Sequence, residues 1–260
     1  MYSDEHKLFL KKLKLEKFII IFFRLFIIIG LFLMWEILAK KEIINPFLTS
    51  YPSKIFSTIF TLFKTQNLLI HVFVTFYETM ISFLLATLTG ILIASILYSN
   101  KTISKILDPY LTVLNALPKV SLGPLIIIWM GANTKSIIFM ALLISVFTTI
   151  INMYNAFINT DKSKIMLFKS FGASKYQIFW NLVFRGNMPS LINTLKVNIG
   201  LSFIGVIMGE LLVSKKGLGY LITYGSQVFN LNLVITSIFI LAIIAFIMYK
   251  SIDYIEKKIK

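Results

Sequence analysis

Blocks of apolar residues, each about 20 residues long, recur along the whole sequence and restrict the fold more than any other feature. A helix of about 20 residues is long enough to cross a hydrocarbon core of about 30 Å. Because backbone N–H and C=O groups find no water in lipid, such blocks must be helical. They predict an all-α, polytopic membrane protein with about six transmembrane helices. The predicted spans are Phe18–Leu38, Leu69–Leu97, Leu107–Met130, Ser136–Phe157, Leu191–Val213 and Leu233–Tyr249.

The composition agrees with a chain that is mostly embedded in lipid. Hydrophobic residues make up 57% of the 260 residues and charged residues only 14%, whereas soluble domains have roughly 45–50% and 25%, respectively. The chain is too short to add a soluble catalytic domain to about six spans. We therefore predict a basic tail at residues 1–17 and a single transmembrane domain at residues 18–260. The first apolar block lacks a small-residue cleavage site, so we expect it to be retained as a span.

The basic residues predict the orientation of the chain in the membrane. The net charge is +15, which in a soluble protein would suggest nucleic acid as a partner. Here Lys and Arg lie beside the spans, and more of them fall on the cytoplasmic side if the N-terminus lies there. We predict a multi-pass protein of the cell membrane with both termini cytoplasmic and no nucleic-acid partner. The chain has no cysteine, which excludes disulfides and thiolate metal sites.

Between two apolar blocks lies a polar segment, Asp161–Ser190, which we call the basic loop. It has a helix-like apolar pattern, a turn at Gly172 and Ala173, a second apolar stretch, and Pro189 as a stop. Its cations are Lys162, Lys164, Lys169, Lys175 and Arg185. A structured basic loop on one face of a membrane domain, here near residues 158–190, predicts a docking surface for a cytoplasmic partner.

Ionisable residues within the predicted spans are candidates for a translocation path. Glu78, Lys119, Lys196 and Glu210 fall at bilayer depth, where a charge costs roughly 2.5–3.5 kcal/mol on insertion scales. Such residues face a partner helix or a water-filled cavity, so Glu78 and Glu210 could line a path. Alternatively, each lies near the end of a span or pairs with Lys119 or Lys196.

Prolines interrupt the third predicted span. Pro118 and Pro124 each remove a backbone donor and can kink or break a helix. Broken helices are tolerated at membrane depth where they line a cavity or are buried in protein. Pro118, Lys119 and Pro124 are therefore path candidates, and a simple packing kink is the alternative.

Two further patterns concern packing. Pro46 and Pro52 follow the first span, and the apolar spacing of Ser53–Phe63 predicts an amphipathic helix on the outer surface. Small residues recur at intervals of four or five, which lets helices approach closely. They are Ala86, Gly90 and Ala94 in the second span and Gly200, Gly205 and Gly209 in the fifth.

Nothing in the sequence indicates an enzyme. His6 and His71 are the only histidines, there is no His-Glu-x-x-His pair, and there is no GxxxxGK[ST] phosphate-binding loop. We predict a non-catalytic chain with no cofactor and no metal. If transport is driven by ATP, the ATPase is a separate polypeptide.

Four segments, in order, are similar to a known family. They are NPFLTSYPSK, LNALPKVSLGPLIIIWMGANTKS, FGASKYQIFWNLV and VIMGELLVSKKGLGYLI. The chain resembles the inner-membrane permease subunits of ABC-type importers, in particular the branch for nitrate, alkanesulfonate, taurine and related small compounds.

The resemblance implies a type I ABC importer permease fold and a set of partners. These are a cytoplasmic ABC ATPase subunit, an extracytoplasmic substrate-binding (lipo)protein, and a second copy of the permease. The imported solute would be a sulfonate, nitrate, taurine or a vitamin precursor. The basic loop would contain a coupling helix that contacts the ATPase. The residues implied for this contact are Phe168, Lys169, Ser170, Phe171, Gly172, Ala173 and Ser174.

The chain departs from the family pattern within the basic loop. A Glu-Ala-Ala triplet is common six residues before the glycine, where this chain has Met166, Leu167 and Phe168. Arg185 stands where a proline is common, and Glu78 where an arginine is often found. The missing acid suggests a matched, divergent ATPase, or an apolar trio that packs under the loop.

Two other functional classes stay open at this point. A secondary transporter or channel would work without a partner, although such proteins often have inverted repeats, which we do not find here. An integral membrane enzyme would need a constellation of histidines and carboxylates that the sequence lacks.

Overall fold

The computed structural model describes residues 4–65 and 68–259, and every regular element in these ranges is a helix. The first three residues of the predicted basic tail and Lys260 lie outside the described residues. The α-helices are α1 Asp4–Lys40, α2 Pro46–Thr49, α3 Pro52–Thr65, α4 Leu68–Ser99, α5 Lys101–Ala116, α6 Gly123–Met130, α7 Thr134–Ile158, α8 Lys162–Ser170, α9 Lys175–Ile178, α10 Met188–Val213, α11 Leu218–Gln227 and α12 Leu231–Ile259. A 3-10 turn at Lys119–Leu122 precedes α6, and a π-helical turn at Phe179–Phe184 follows α9.

Five helices in the described ranges are long and apolar enough to cross a membrane, and they confirm five of the predicted spans. They are α4, α7, α10, most of α12, and the Phe9–Lys40 part of α1. Helix α1 runs without a break from Asp4, so the predicted tail and the first span share one helix. No residue of its most apolar stretch is buried against the rest of the chain, as expected of a helix that faces lipid.

The third span has a different shape from the single helix expected over Leu107–Met130. Helix α5 and the segment Lys119–Met130 meet at 84°. Pro118 causes the break, since it has no N–H and restricts the preceding Leu117, which has ψ 137°. Pro124 lies in the first turn of α6, where its missing N–H does no harm.

The bent pair nevertheless carries the chain across the membrane. Tyr98 at the end of α4 and Phe157 at the end of α7 pack together with ring centroids 6.0 Å apart. Helices α4 and α7 therefore run in the same direction, and only the α5–α6 pair returns the chain between them. We call the end of the bundle that holds Tyr98, Phe157 and the basic loop the loop end. With α1 and α12, the chain makes six crossings.

Close contacts at glycine hold α4, α7 and α10 together at the centre. A Cβ on Gly90 would lie 2.5 Å from the Thr149 side chain. A Cβ on Gly205 would lie 2.5 Å from the Cα of Ala141. These contacts confirm that the small residues predicted in the second and fifth spans allow close approach. Gly200 is different, because nothing lies within 4 Å of its added Cβ.

A buried amide ties the same three helices together. Asn198 on α10 donates from Nδ2 to Thr87 Oγ1 on α4 at 3.0 Å and to Thr149 Oγ1 on α7 at 2.6 Å. Lipid offers no competing partner for such groups, so interhelical bonds of this kind are favoured in membranes. Because the bonds are directional, they fix the register of the three helices.

The helix predicted at Ser53–Phe63 is present as α3, and its start is held by the first span. Ile55 and Leu62 are buried, while Phe56 and Phe60 are exposed. Glu36 on α1 accepts from Ser53 N at 3.0 Å and from Ser53 Oγ at 2.7 Å. Near this contact, Phe32 of α1 packs edge-on against Phe239 of α12.

We predict that Gly205→Ala destabilises the bundle and that Gly200→Ala does not. The added methyl at residue 205 meets the α7 backbone, so the helices must separate, at a cost of about 1–3 kcal/mol. The methyl at residue 200 of the same helix enters open space. Unfolding of the purified variants in detergent, followed by circular dichroism, measures both effects. Equal stability of the two variants would show that the α7–α10 contact is looser than described.

Candidate functional site

The first half of the basic loop is a short helix with defined ends. Asp161 Oδ1 accepts from Ser163 N at 2.8 Å and caps the start of α8. At the other end, Gly172 has φ +78°, a left-handed conformation that favours glycine. Gly172 N donates to Lys169 O at 2.9 Å and Ala173 N donates to Phe168 O at 3.1 Å. These two bonds form a Schellman motif, so the predicted turn at Gly172 and Ala173 is confirmed.

The second half of the loop begins with a capping box. Ser174 N donates to Gln177 Oε1 at 2.8 Å, and Gln177 N donates to Ser174 Oγ at 3.3 Å. Helix α9 then continues into the π-helical turn. The sequence suggested that Pro189 stops a helix, but it does not. It lies in the first turn of α10, where proline is favoured.

Aromatic packing fastens this second half to the loop ends of α4 and α7. The Phe157 ring lies 5.5 Å from the ring of Phe179 and 6.3 Å from that of Phe184. The Tyr98 ring lies 5.6 Å from Phe179. Phe157 and Val183 are fully buried in this cluster. We call Tyr98, Phe157, Phe179, Val183 and Phe184 the aromatic cluster. Its packing makes the basic loop part of the bundle.

The outward side of the loop is apolar and basic. Phe171 is 81% exposed, Tyr176 74% and Met166 69%. Leu167 also faces outward, whereas Phe168 packs partly against the aromatic cluster. Only Phe168 of the apolar trio therefore packs under the loop. A shallow groove beside the turn is lined by Phe168, Phe171, Gly172, Ala173, Gln177 and Asn181.

At the opposite end of the bundle, Glu210 binds the start of α11. Its Oε1 accepts from Thr75 Oγ1 at 2.7 Å, and its Oε2 accepts from Gly219 N at 2.6 Å. The Thr75 hydroxyl also accepts from Leu218 N at 2.8 Å. Next to it, His71 Nδ1 lies 3.1 Å from the backbone N and O of Gly217. Side chains of α4 and α10 thus satisfy the first backbone donors of α11.

Two glycines make room for this carboxylate. A Cβ on Gly219 would lie 2.7 Å from Glu210 Cβ. A Cβ on Gly217 would overlap the Glu210 carboxyl group, and Gly217 has φ +102°. The glycines of this turn therefore serve a close approach of backbone to carboxylate as well as the turn itself.

Glu78 lies near Glu210, three residues along α4 from Thr75. It is 1% exposed, and neither carboxyl oxygen makes a hydrogen bond of ordinary geometry with the described part of the chain. The Glu210 carboxyl and Thr134, at the start of α7, are close enough to interact with it. The pairing of Glu78 or Glu210 with Lys119 or Lys196, left open by the sequence, does not occur.

The two lysines bind elsewhere. Lys196 Nζ lies 3.1 Å from Asp253 Oδ1 and 2.5 Å from Glu256 Oε2, and these bonds tie α10 to the end of α12. Lys119 donates from Nζ to Asn115 O at 2.8 Å, on the other limb of the bent pair.

The five path candidates do not share one surface of the single chain. Glu78 and Glu210 are buried together, whereas Pro118 and Pro124 are exposed at the bend, with Lys119 half-buried beside them. That they line a path stays a prediction. Sequence reasoning missed Thr75 as the residue that joins Glu210 to α11. A polar stripe at His71, Thr75, Glu78 and Ser82, with the spacing of one helix face, could have revealed it.

We predict that Thr75→Val loosens the start of α11 and that Thr75→Ser does not. Valine has the same shape but leaves the Leu218 N–H and a Glu210 oxygen unpaired, at a cost of about 1–3 kcal/mol. Serine keeps the hydroxyl. Hydrogen exchange followed by mass spectrometry should show faster exchange at Leu218 and Gly219 in the valine variant alone. Wild-type exchange rates in that variant would contradict the role of the hydroxyl.

Comparison with known proteins places this architecture among transport proteins. A family model described as "Binding-protein-dependent transport system inner membrane component" matches residues 86–260. The formylaminopyrimidine transport permease protein ThiX of Halalkalibacterium halodurans is 28% identical, over 87% of this chain and 90% of its own length. The taurine transport system permease protein TauC of Escherichia coli is 22% identical, over 87% and 84%. The inward-facing MetNI methionine ABC transporter has a chain of similar fold, with a TM-score of 0.66 at 16% identity, covering 73% of this chain and 94% of that one.

Proposed function

Because the chain belongs to the family of binding-protein-dependent transport system inner membrane components, we propose that it is the membrane-spanning permease subunit of an ATP-driven ABC importer. It forms the translocation path for a small solute that an extracytoplasmic binding protein delivers. It does not hydrolyse ATP, which is the task of a separate ATPase subunit. The observation that carries this proposal is the family match over residues 86–260, together with a fold that has six crossings.

The solute belongs to the class of small polar compounds. Relatives are named as permeases for taurine and for formylaminopyrimidine. We propose a sulfonate, nitrate, taurine or a vitamin precursor, with the choice among them made largely by the binding protein.

The basic loop is the part that receives the ATPase, and the loop end is therefore cytoplasmic. The residues offered for this contact, Phe168–Ser174, include the exposed Phe171 and the turn at Gly172. The aromatic cluster supports this role, because its side chains pack the loop directly against α4 and α7. ATP shifts the permease between inward-open and outward-open states only because the ATPase contacts those states differently.

We propose that both chain ends lie on the same side as the basic loop, and six crossings support this arrangement. Helix α12 ends there, because Asp253 and Glu256 bind Lys196 near the start of α10. The excess of Lys and Arg on that side favours a cytoplasmic position for both termini. We further propose that two copies pair in the membrane, with the α5–α6 bend, where Ile128 and Trp129 are largely exposed, facing the partner.

Reconstitution into liposomes tests the proposed function. The chain, its ATPase and its binding protein should accumulate solute only when ATP is present on the side of the ATPase. Accumulation driven by an ion gradient, with the chain alone in the liposomes and no nucleotide, would contradict the proposal and favour a secondary transporter.

We predict that Gly172→Val abolishes ATPase binding and uptake while the protein still inserts. The positive φ at residue 172 disfavours a β-branched side chain, so the turn that presents Phe171 is distorted. Gly186→Val is the matched control, because Gly186 has no positive φ and nothing lies within 4 Å of an added Cβ. Co-purification with the ATPase measures the effect. Normal ATPase recovery with Gly172→Val would argue against docking at this turn.

A further inference from the structure

The basic loop offers positive charge and almost no negative charge to a partner. Lys162, Lys164, Lys169 and Lys175 are all exposed, and none pairs with a carboxylate in the part of the chain that the structure describes. The sequence has no Asp or Glu between Asp161 and Glu210. Asp161 itself is engaged, since its carboxylate caps α8.

Exposed apolar residues lie among these lysines in the sequence. Met166, Leu167, Phe171 and Tyr176 are each more than half exposed on the outward side of the loop. In a monomer, an exposed apolar patch with a polar rim marks an interaction surface. Aromatic residues and methionine are also enriched in the buried centres of protein interfaces.

We propose that this surface fits an ATPase subunit whose docking groove has an apolar floor and an acidic rim. The inference rests on the proposed function and names the chemistry of its partner. An ATPase groove that carries Lys or Arg to bind an acidic residue of the permease would face only lysines on this loop. Like charges across an interface are strongly unfavourable. The partner instead supplies Asp or Glu around a pocket that receives Phe171. Met166 stands at the position of the acid that is common in the family, so this residue helps to select the ATPase.

The chemistry of the loop also fits anionic lipid, because lysines beside a span bind acidic headgroups. The structure favours the ATPase. The lysines are interspersed in the sequence with outward apolar side chains, and the turn that carries Phe171 is ordered by a capped helix on each side. Lipid attraction needs neither feature. The experiments below separate the two.

The sharpest test introduces the missing acid. Met166→Glu should weaken binding of the ATPase that supports transport by the wild-type chain, by roughly tenfold or more, because it places a carboxylate on the apolar floor, encircled by the acidic rim. Met166→Gln, of similar shape and uncharged, should bind within about twofold of wild type. Affinity is measured by titration of the ATPase onto the chain in nanodiscs of uncharged lipid. Tighter binding by Met166→Glu, or equal loss in both variants, would overturn the proposal.

Removal of the lysines gives an independent test. Replacing Lys162, Lys164, Lys169 and Lys175 by Gln should weaken binding by roughly tenfold and flatten its dependence on salt. The control replaces Lys11, Lys12, Lys14 and Lys17 by Gln, which removes the same charge from the same predicted side of the membrane. The control should bind as wild type does.

The outcomes distinguish failure of the acidic rim from failure of the proposed transport function. Wild-type affinity in the loop variant overturns the acidic rim and leaves the proposed function intact. A loss seen in both variants, or only when the nanodiscs contain anionic lipid, assigns the lysines to lipid or to topology and also overturns it. If the wild-type chain binds no ATPase at any salt concentration and transports without one, the proposed function fails.

Discussion

The packing of Phe157 against Phe179 and Phe184 is the contact on which the rest of the molecule depends. Burying a large apolar side chain is worth about 1.5–3 kcal/mol in water-exposed regions, so several buried together hold the loop firmly. The π-helical turn helps to make this possible, because it carries Phe179, Val183 and Phe184, which all pack in the cluster. Without the cluster the basic loop would be a flexible connection between α7 and α10. With it, we expect the loop to move together with α4 and α7.

Side-chain contacts also hold the helices together at the opposite end of the bundle. Glu210 and Thr75 fix the start of α11 between α4 and α10. Between the two ends, the glycine contacts and Asn198 leave α4, α7 and α10 little room to slide. Packed interiors resist gradual deformation. We therefore expect a displacement at the loop end to shift whole helices.

Local features of this fold were predictable, and long-range ones were not. The length of the apolar blocks correctly predicted five of the spans. The spacing of the glycines correctly predicted close contacts between helices. Gly172 signalled its turn because the left-handed conformation favours glycine. The 84° bend was not predictable, since Pro118 indicates a break but not its angle. Glu210 and Lys196 were predicted to lie at bilayer depth, but their partners Thr75 and Asp253 lie far away in the sequence, and only the packing of helices brings them together.

We expect the basic loop and the loop ends of the spans to move as one body. The chain has no cysteine, so Ser99→Cys on α4 and Ser170→Cys on α8 can carry spin labels at exposed positions without background. The distance between them is measured within one chain of the full transporter, with and without ATP. We expect a single narrow distance that nucleotide leaves unchanged, while the distance between the two copies of residue 170 in a dimer changes. A distance within the chain that shifts or broadens with ATP would show that the loop flexes on the bundle, and would contradict movement as one body.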